Sequence, residues 1–256
     1  MNTSATLTAL PLASLLDTLQ ARLAIWKAGQ APVRGHAGLP TGFAEVDEML
    51  ADEGWPQGAL TELLSDETGI GEFSLLLPVL AQLTAEQGVL LVAPPFQPYA
   101  PALAQAGVNL ERLLVVPAGA TRDALSAAEL ALRSGACGAV LIWESGLSSQ
   151  GGQGLPYLAL KRLHLAAERG NAMAVLYRSL QQARQPSPAA LRIRLAQREQ
   201  RLQLHVFKRR GLFGEQTASI LPWSLPVQQQ IIHRPKLPSW YAIPAARLIR
   251  PQIGAY

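Results

Sequence analysis

Two carboxylates bracket a pair of glycines in Leu60-Thr-Glu-Leu-Leu-Ser-Asp-Glu-Thr-Gly-Ile-Gly-Glu-Phe-Ser-Leu-Leu-Leu77. The stretch reads as a short apolar strand, a turn containing Gly69 and Gly71, and an apolar run long enough for a buried helix. That is the layout of a phosphate-binding loop. A working loop of the form G-x-x-x-x-G-K-[ST] turns backbone N–H groups toward the phosphates, and adds a lysine for the β/γ-phosphates and a hydroxyl for Mg²⁺. With Gly71 as the second motif glycine, Asp66 falls on the first, Glu72 on the lysine and Phe73 on the hydroxyl. A helix N-terminus still favours an anion, but Asp66 and Glu72 can occupy it themselves as capping carboxylates. The stretch has the shape of a nucleotide site without its chemistry, or it is a plain strand-turn-helix connection.

Other reactive residue types form no working set. His36, His164, His205 and His233 are scattered, without a second ligand type at metal-site spacing. His164 falls on an expected helix and His205 in an expected strand, where both read as structural histidines; His36, in a linker, reads as a surface residue. A nucleophile elbow around Ser145 would need glycines two residues to either side, and Trp143 and Leu147 stand there. Cys137, the single cysteine, reads as a small core residue. Gly151-Gly-Gln-Gly154 lacks the preceding strand of a dinucleotide loop and reads as a flexible loop. No catalytic residue, metal site or cofactor follows from these patterns.

A chain of 256 residues that is 49% hydrophobic and 16% charged is long enough for one well-buried domain with extensions. Its apolar runs, such as Ser74 to Leu83 and Ala136 to Trp143, fall short of the roughly 18 residues of a membrane span. The N-terminus lacks the pattern of an export signal, and a lone cysteine argues against disulfides, so the expected location is cytoplasmic. The net charge of +4 conceals a division: residues 1 to 177 hold 9 Lys/Arg and 16 Asp/Glu, a net of −7, and residues 178 to 256 hold 13 and 2, a net of +11. A basic segment of this kind meets a polyanion or an acidic protein surface, or folds over the acidic body.

These patterns divide the chain into an N-terminal amphipathic helix and linker (1–38), a core (39–222) and a basic, Pro-rich tail (223–256). Leu12, Leu15, Leu16, Leu19, Leu23 and Trp26 carry the helical spacing over residues 11 to 28. Leu39 to Leu50 reads as a turn and short helix, with Thr41 as a possible cap. Strands are expected at Ala59 to Leu64, Val89 to Ala93, Leu113 to Val116, Ala139 to Trp143 and Ala172 to Tyr177. Helices are expected at Phe73 to Glu86, Tyr99 to Ala106, Arg122 to Arg133 and Pro156 to Arg169, with Pro78 kinking the first or delaying its regular start. Apolar strands alternating with helices predict a parallel sheet covered on both faces. Leu191 to Ala196 and Leu202 to Phe207, joined by Gln197 to Arg201, predict a hairpin extending that sheet. Lys208, Arg209 and Arg210 follow it at once. In the tail, Arg234, Lys236, Arg247 and Arg250 interleave with Trp240 and Tyr241, which suits a segment that orders on a partner or on nucleic acid.

Leu39-Pro-Thr-Gly-Phe-Ala-Glu-Val-Asp-Glu-Met-Leu50, then Gly54-Trp-Pro-Gln-Gly-Ala-Leu-Thr-Glu-Leu-Leu64, then the glycine turn, resembles the entry to a RecA-type ATPase core. The resemblance implies an α/β fold with a mostly parallel sheet covered by helices and a degenerate phosphate loop. It sets Glu144, at the end of Val140-Leu-Ile-Trp-Glu-Ser145, at the Walker B position, and Pro95, in Leu91-Val-Ala-Pro-Pro-Phe-Gln-Pro98, at that of the catalytic glutamate. Without the loop lysine, the hydroxyl and that glutamate, hydrolysis by the mechanism of the fold is not expected. Together with Glu168-Arg-Gly-Asn-Ala-Met-Ala-Val-Leu-Tyr-Arg178, the ensemble resembles the ImuA family, RecA-like accessory proteins of damage-induced mutagenesis, over roughly residues 39 to 220. That resemblance implies a non-catalytic adaptor in SOS-induced translesion DNA synthesis, nucleoid-associated when assembled. Its implied partners are ImuB, a Y-family polymerase relative, and an error-prone DnaE-type polymerase, with RecA and DNA as further contacts. Lys208, Arg209 and Arg210 resemble the basic finger that RecA-type subunits offer to a neighbour or to DNA. The same core also resembles SulA, the inhibitor of FtsZ, so division inhibition is the alternative; the basic extension beyond Tyr177 favours ImuA.

Overall fold

The computed structural model describes residues 38–50, 53–147, 154–210 and 214–221. The amphipathic segment at 11 to 28, His36, most of the Gly151 to Gly154 loop, His233 and the tail residues Arg234, Lys236, Trp240, Tyr241, Arg247 and Arg250 lie outside them.

The described residues form an α/β structure around an eight-stranded, mostly parallel mixed sheet. In chain order the strands are β1 (Ala59–Leu64), β2 (Gly88–Val92), β3 (Leu113–Val116), β4 (Cys137–Trp143), β5 (Met173–Arg178), β6 (Leu191–Arg198), β7 (Arg201–Arg209) and β8 (Gln216–Ile220). Their order across the sheet is β3-β2-β4-β5-β1-β6-β7-β8. Pairing is parallel from β3 to β6 and antiparallel from β6 to β8. The central strands β1, β4 and β5 are buried along their whole length. Near-continuous apolar runs are what such doubly covered strands require.

One core includes Leu63, Leu91, Leu141 and Val175 from the sheet, together with residues of the helices Leu77–Leu83 and Ala100–Gln105. The opposite core includes Leu60, Leu90, Ile142 and Leu176, and is closed by the helices Thr121–Arg133 and Tyr157–Gly170. On the second pair, Ala124, Ala128 and Leu132 meet Leu160, Leu163, Ala166 and Ala167, one apolar stripe on each helix. A Cβ placed on Gly170 would overlap the carbonyl oxygen of Leu132, so only glycine admits this crossing.

Several expectations are corrected by the fold. The helix expected over Phe73 to Glu86 is shorter, a 3₁₀ segment Ser74–Leu76 followed by a regular helix only over Leu77–Leu83. Its delayed regular start is the one expected of Pro78, which suits a first turn and not an interior. The hairpin turn is only Glu199 and Gln200, both left-handed at φ 50° and 61°, the backbone that matches strand twist. Lys208 and Arg209 are part of β7, and β8 follows where no strand was expected. Thr41 does not cap the short helix; its hydroxyl accepts from the Phe43 N–H at 3.1 Å, just before the helix begins. Among the described residues the cover expected on both faces does not extend across the hairpin: the second core has no member on β6, β7 or β8.

Candidate functional site

In open α/β sheets ligands bind beyond the carboxyl ends of the strands, so the groups beyond β1, β4 and β5 define the place to look. After β1 the chain turns through Gly69 and Gly71, both at positive φ of 76° and 97°. Glu72 folds back over this turn, its Oε1 accepting from the Gly69 N–H at 3.0 Å, while its other carboxylate oxygen is buried with no hydrogen-bond partner among the described residues. Asp66 Oδ1 accepts from the Leu180 N–H at 2.8 Å, which ties the turn to the segment after β5. Phe73 leans on Trp143 with ring centroids 6.0 Å apart. Tyr177 lies stacked on the same indole at 4.6 Å and 9°. Its hydroxyl donates to the Glu72 carbonyl at 3.4 Å. Burial first, and the nearby Glu72 carboxylate second, hold the Tyr177 hydroxyl well above its usual ionisation range.

On the other face of the same strand ends lies a line of buried charges. Glu144, in the 3₁₀ turn after β4, accepts from Arg178 Nε at 3.2 Å on both oxygens and from Nη2 at 3.0 Å. Arg178, the last residue of β5, reaches Glu62 of β1 through Nη1 at 3.2 Å. Glu62 in turn accepts from Arg192 Nε of β6 at 2.7 Å. The chain Glu144–Arg178–Glu62–Arg192 thus crosses four adjacent strands with alternating charge. Its side chains are at most 8% exposed. Remaining donors are also satisfied: Arg178 Nη2 donates to the Gln182 side chain and the Leu155 carbonyl, and Arg192 to the carbonyls of Gln182, Ala183 and Gln185. Buried charges persist when they are paired and hydrogen-bonded in this way.

Sequence reasoning found Glu144 but missed Glu62, Arg178 and Arg192. The signal was present: a glutamate inside an apolar strand, an arginine closing another, and an arginine between Leu191 and Ile193. A charge at a fully buried position demands a partner.

Lys208, Arg209 and Arg210 sit at the other end of the hairpin from its turn, with Arg209 beside Leu191 and hence beside the middle of β1. Lys208 donates to the Ser187 carbonyl at 2.7 Å, and Arg209 donates to the Met49 carbonyl and the Gln216 side chain. Burial, reinforced by the Arg192 charge and opposed by Glu62, lowers the Lys208 ammonium below its ordinary range. Arg210 is exposed. His164 accepts the Leu60 N–H on Nδ1 at 3.2 Å. Desolvation holds its pKa below the ordinary histidine value, with Glu168 opposing and the Arg210 and Lys208 charges adding. Burial raises the Cys137 thiol, which makes it a poor nucleophile. Among the described residues no group of three His, Cys, Asp or Glu side chains can hold a metal ion, and no helix is long and apolar enough to cross a membrane.

No family model matches the chain. It is 32% identical to RecA of Thermus thermophilus over 120 residues, which are 46% of this chain and 35% of that protein. It is 31% identical to RecA of Thermus aquaticus over the same length. The chain therefore spans about a third of the length of these curated relatives. Among solved structures, SulA from Pseudomonas aeruginosa is 31% identical, with 46% of this chain and 97% of that chain covered and a TM-score of 0.36.

Proposed function

We propose that the chain is a non-catalytic, RecA-like adaptor of the ImuA type. In this reading it assembles with an ImuB-type Y-family polymerase relative and an error-prone DnaE-type polymerase during SOS-induced translesion synthesis, with DNA and RecA as further contacts. Similarity to RecA over 46% of the chain supports the DNA-repair setting.

One observation carries the non-catalytic part: Glu144, which the resemblance to RecA-type cores sets at the Walker B position, is already clasped by Arg178 and by the Leu155 N–H. Withdrawing it for a metal would leave Arg178 buried beside an empty place, a loss of several kcal/mol in effective terms. Glu72 and Phe73, where phosphoryl transfer needs a cation and a hydroxyl, supply a second carboxylate and a ring packed into the core. What remains is a rigid body with a tightly braced sheet, suited to presenting a surface.

Affinity capture from DNA-damaged cells with the full chain as bait, paired with a MgATP titration by calorimetry, tests both parts. The adaptor reading expects an ImuB-type or DnaE-type polymerase protein to be retained and no saturable nucleotide binding. Retention of FtsZ in their place, or saturable MgATP binding at micromolar concentrations, would overturn it.

A further inference from the structure

The three antiparallel strands at one edge of the sheet have one apolar face and one that the described helices leave open beyond Arg192, which the 3₁₀ segment Leu180–Arg184 meets through the Gln182 and Ala183 carbonyls. Leu191, Ile193, Leu195, Leu202, Leu204, Val206 and Ile220 all point into the first core. Alternation along a strand then sends Arg194, Arg198, Arg201, Gln203 and His205 to the opposite face. None of the second core's members belongs to these strands. Arg194, Arg198 and Arg201 thus share one plane on that face.

The composition is one-sided. Residues 191 to 221 hold seven Lys/Arg (Arg192, Arg194, Arg198, Arg201, Lys208, Arg209, Arg210) against Glu199 and Glu215, a net of +5. Glu215 is committed to His205 at 2.8 Å. Arg192 and Arg209 are spent on the body. Arg201 is tied to Ser219 at 3.0 Å and braces β7 against β8. Arg194 and Arg198, by contrast, are exposed, and neither side chain forms an ion pair or hydrogen bond among the described residues.

The face also has an aromatic anchor. A register shift opposite Arg192 and Ile193 brings Phe207 under two guanidinium groups, 5.0 Å from Arg192 and 4.6 Å from Arg194. A cation held over a ring loses less freedom on meeting a ligand, and a guanidinium plane is itself a surface on which a base can stack. Backbone-tracking positive charge combined with stacking surfaces on open strands is the chemistry of single-strand binding.

We infer that this face of β6, β7 and β8 binds single-stranded nucleic acid, with Arg194 and Arg198 on phosphates and the Arg194–Phe207 pair as a stacking platform. The inference deepens the DNA-contacting part of the adaptor reading and rests on it. Charge complementarity selects the occupant. The terminal segments outside the described residues offer no acidic cover: residues 1–37 hold Asp17 against Arg22, Lys27 and Arg34, and residues 222–256 hold four Lys/Arg and no Asp/Glu.

The test is a fluorescence-anisotropy titration of a labelled oligothymidylate with the full chain, over a range of salt concentrations. Arg194→Gln combined with Arg198→Gln is expected to weaken binding about tenfold and to flatten the log–log salt slope by about one to two. Arg169→Gln, on the helical side, is expected to change neither. Circular dichroism of each variant verifies folding, and Arg194→Lys, which keeps charge but not the planar guanidinium, is expected to recover the salt slope and only part of the affinity. An unchanged affinity and slope in the double variant, or no binding by the wild-type chain, would overturn the inference while leaving polymerase capture free to succeed. Oligoglutamate binding as tight as the oligonucleotide's, and lost in the same variant, would overturn it in favour of an acidic protein. Single-strand binding through this face without polymerase capture would sustain the inference and sink the adaptor role.

Discussion

Arg178 and Glu144 face each other across the ends of β5 and β4, with Nε 3.2 Å from both carboxylate oxygens. The same guanidinium also pairs with Glu62, so it bridges two buried carboxylates at once. Replacing it leaves Glu144 without an ion-pair partner and Glu62 with Arg192 alone. Arg178→Met is expected to cost about 3–5 kcal/mol, whereas Glu144→Gln, which keeps shape and an acceptor, is expected to cost about 1–3 kcal/mol. Urea unfolding followed by circular dichroism measures both, and equal losses would mean that the network does not share its charge as the distances imply.

His164 makes an acid-side prediction. Its Nδ1 accepts the Leu60 N–H, which only a neutral ring nitrogen can do, and burial lowers its pKa in the folded state. The unfolded chain then takes up the proton first. The stabilisation is fully present above the unfolded value of about 6.5 and is lost as pH falls through and below it. His164→Asn, which can offer its Oδ1 to the same N–H, is expected to unfold with a shallower pH dependence between about pH 7 and 5. A variant whose stability tracks the wild type across that window would count against this bond.

Tyr177 makes the alkaline counterpart. Its hydroxyl ionises well above the usual range in the folded state, so its contribution is present below about pH 10 and is lost as pH rises further. Of the five tyrosines, the last to ionise in a tyrosinate absorbance titration is expected to be this one. Tyr177→Phe should delete that final component; its persistence would assign it elsewhere.

Gly170 and Gly69 separate crowding from backbone strain. A Cβ at Gly170 meets the Leu132 carbonyl, and Gly170→Ala is expected to destabilise the chain by about 2 kcal/mol or more as the two helices are forced apart. At Gly69 nothing lies within 4 Å, but φ is +76°. Gly69→Ala should cost only the left-handed penalty of about 1–2 kcal/mol, read by the same unfolding experiment.

The strands that periodicity located best are those with continuous apolar runs; Ala59–Leu64 and Leu113–Val116 have the expected bounds, and β2, β4 and β5 differ by a residue or two at their ends. A buried strand advertises itself because both faces must be apolar. Strand β8, Gln-Thr-Ala-Ser-Ile, escaped notice because it is an edge strand with a mostly solvent-facing, small-residue sequence. The ion-pair line escaped for another reason. Arg178 and Arg192 find Glu62 at separations of 116 and 130 residues, far beyond any local spacing rule. The glycine turn was visible, yet that Asp66 would reach Leu180 and not the turn's own N–H groups depended on a segment more than a hundred residues away.

Strand β1 lies between β5 and β6, neither of which exists when β1 leaves the ribosome. The first of the described strands to be made is thus among the last to be enclosed, and Glu62 waits in an apolar segment for arginines that arrive over a hundred residues later. Loop closure of that span must be completed before the pairing rewards it, so the topology sets a slow clock for maturation. During that interval Leu60, Leu63 and Leu64, buried in the folded protein, lack the cover that β5 and β6 later give them.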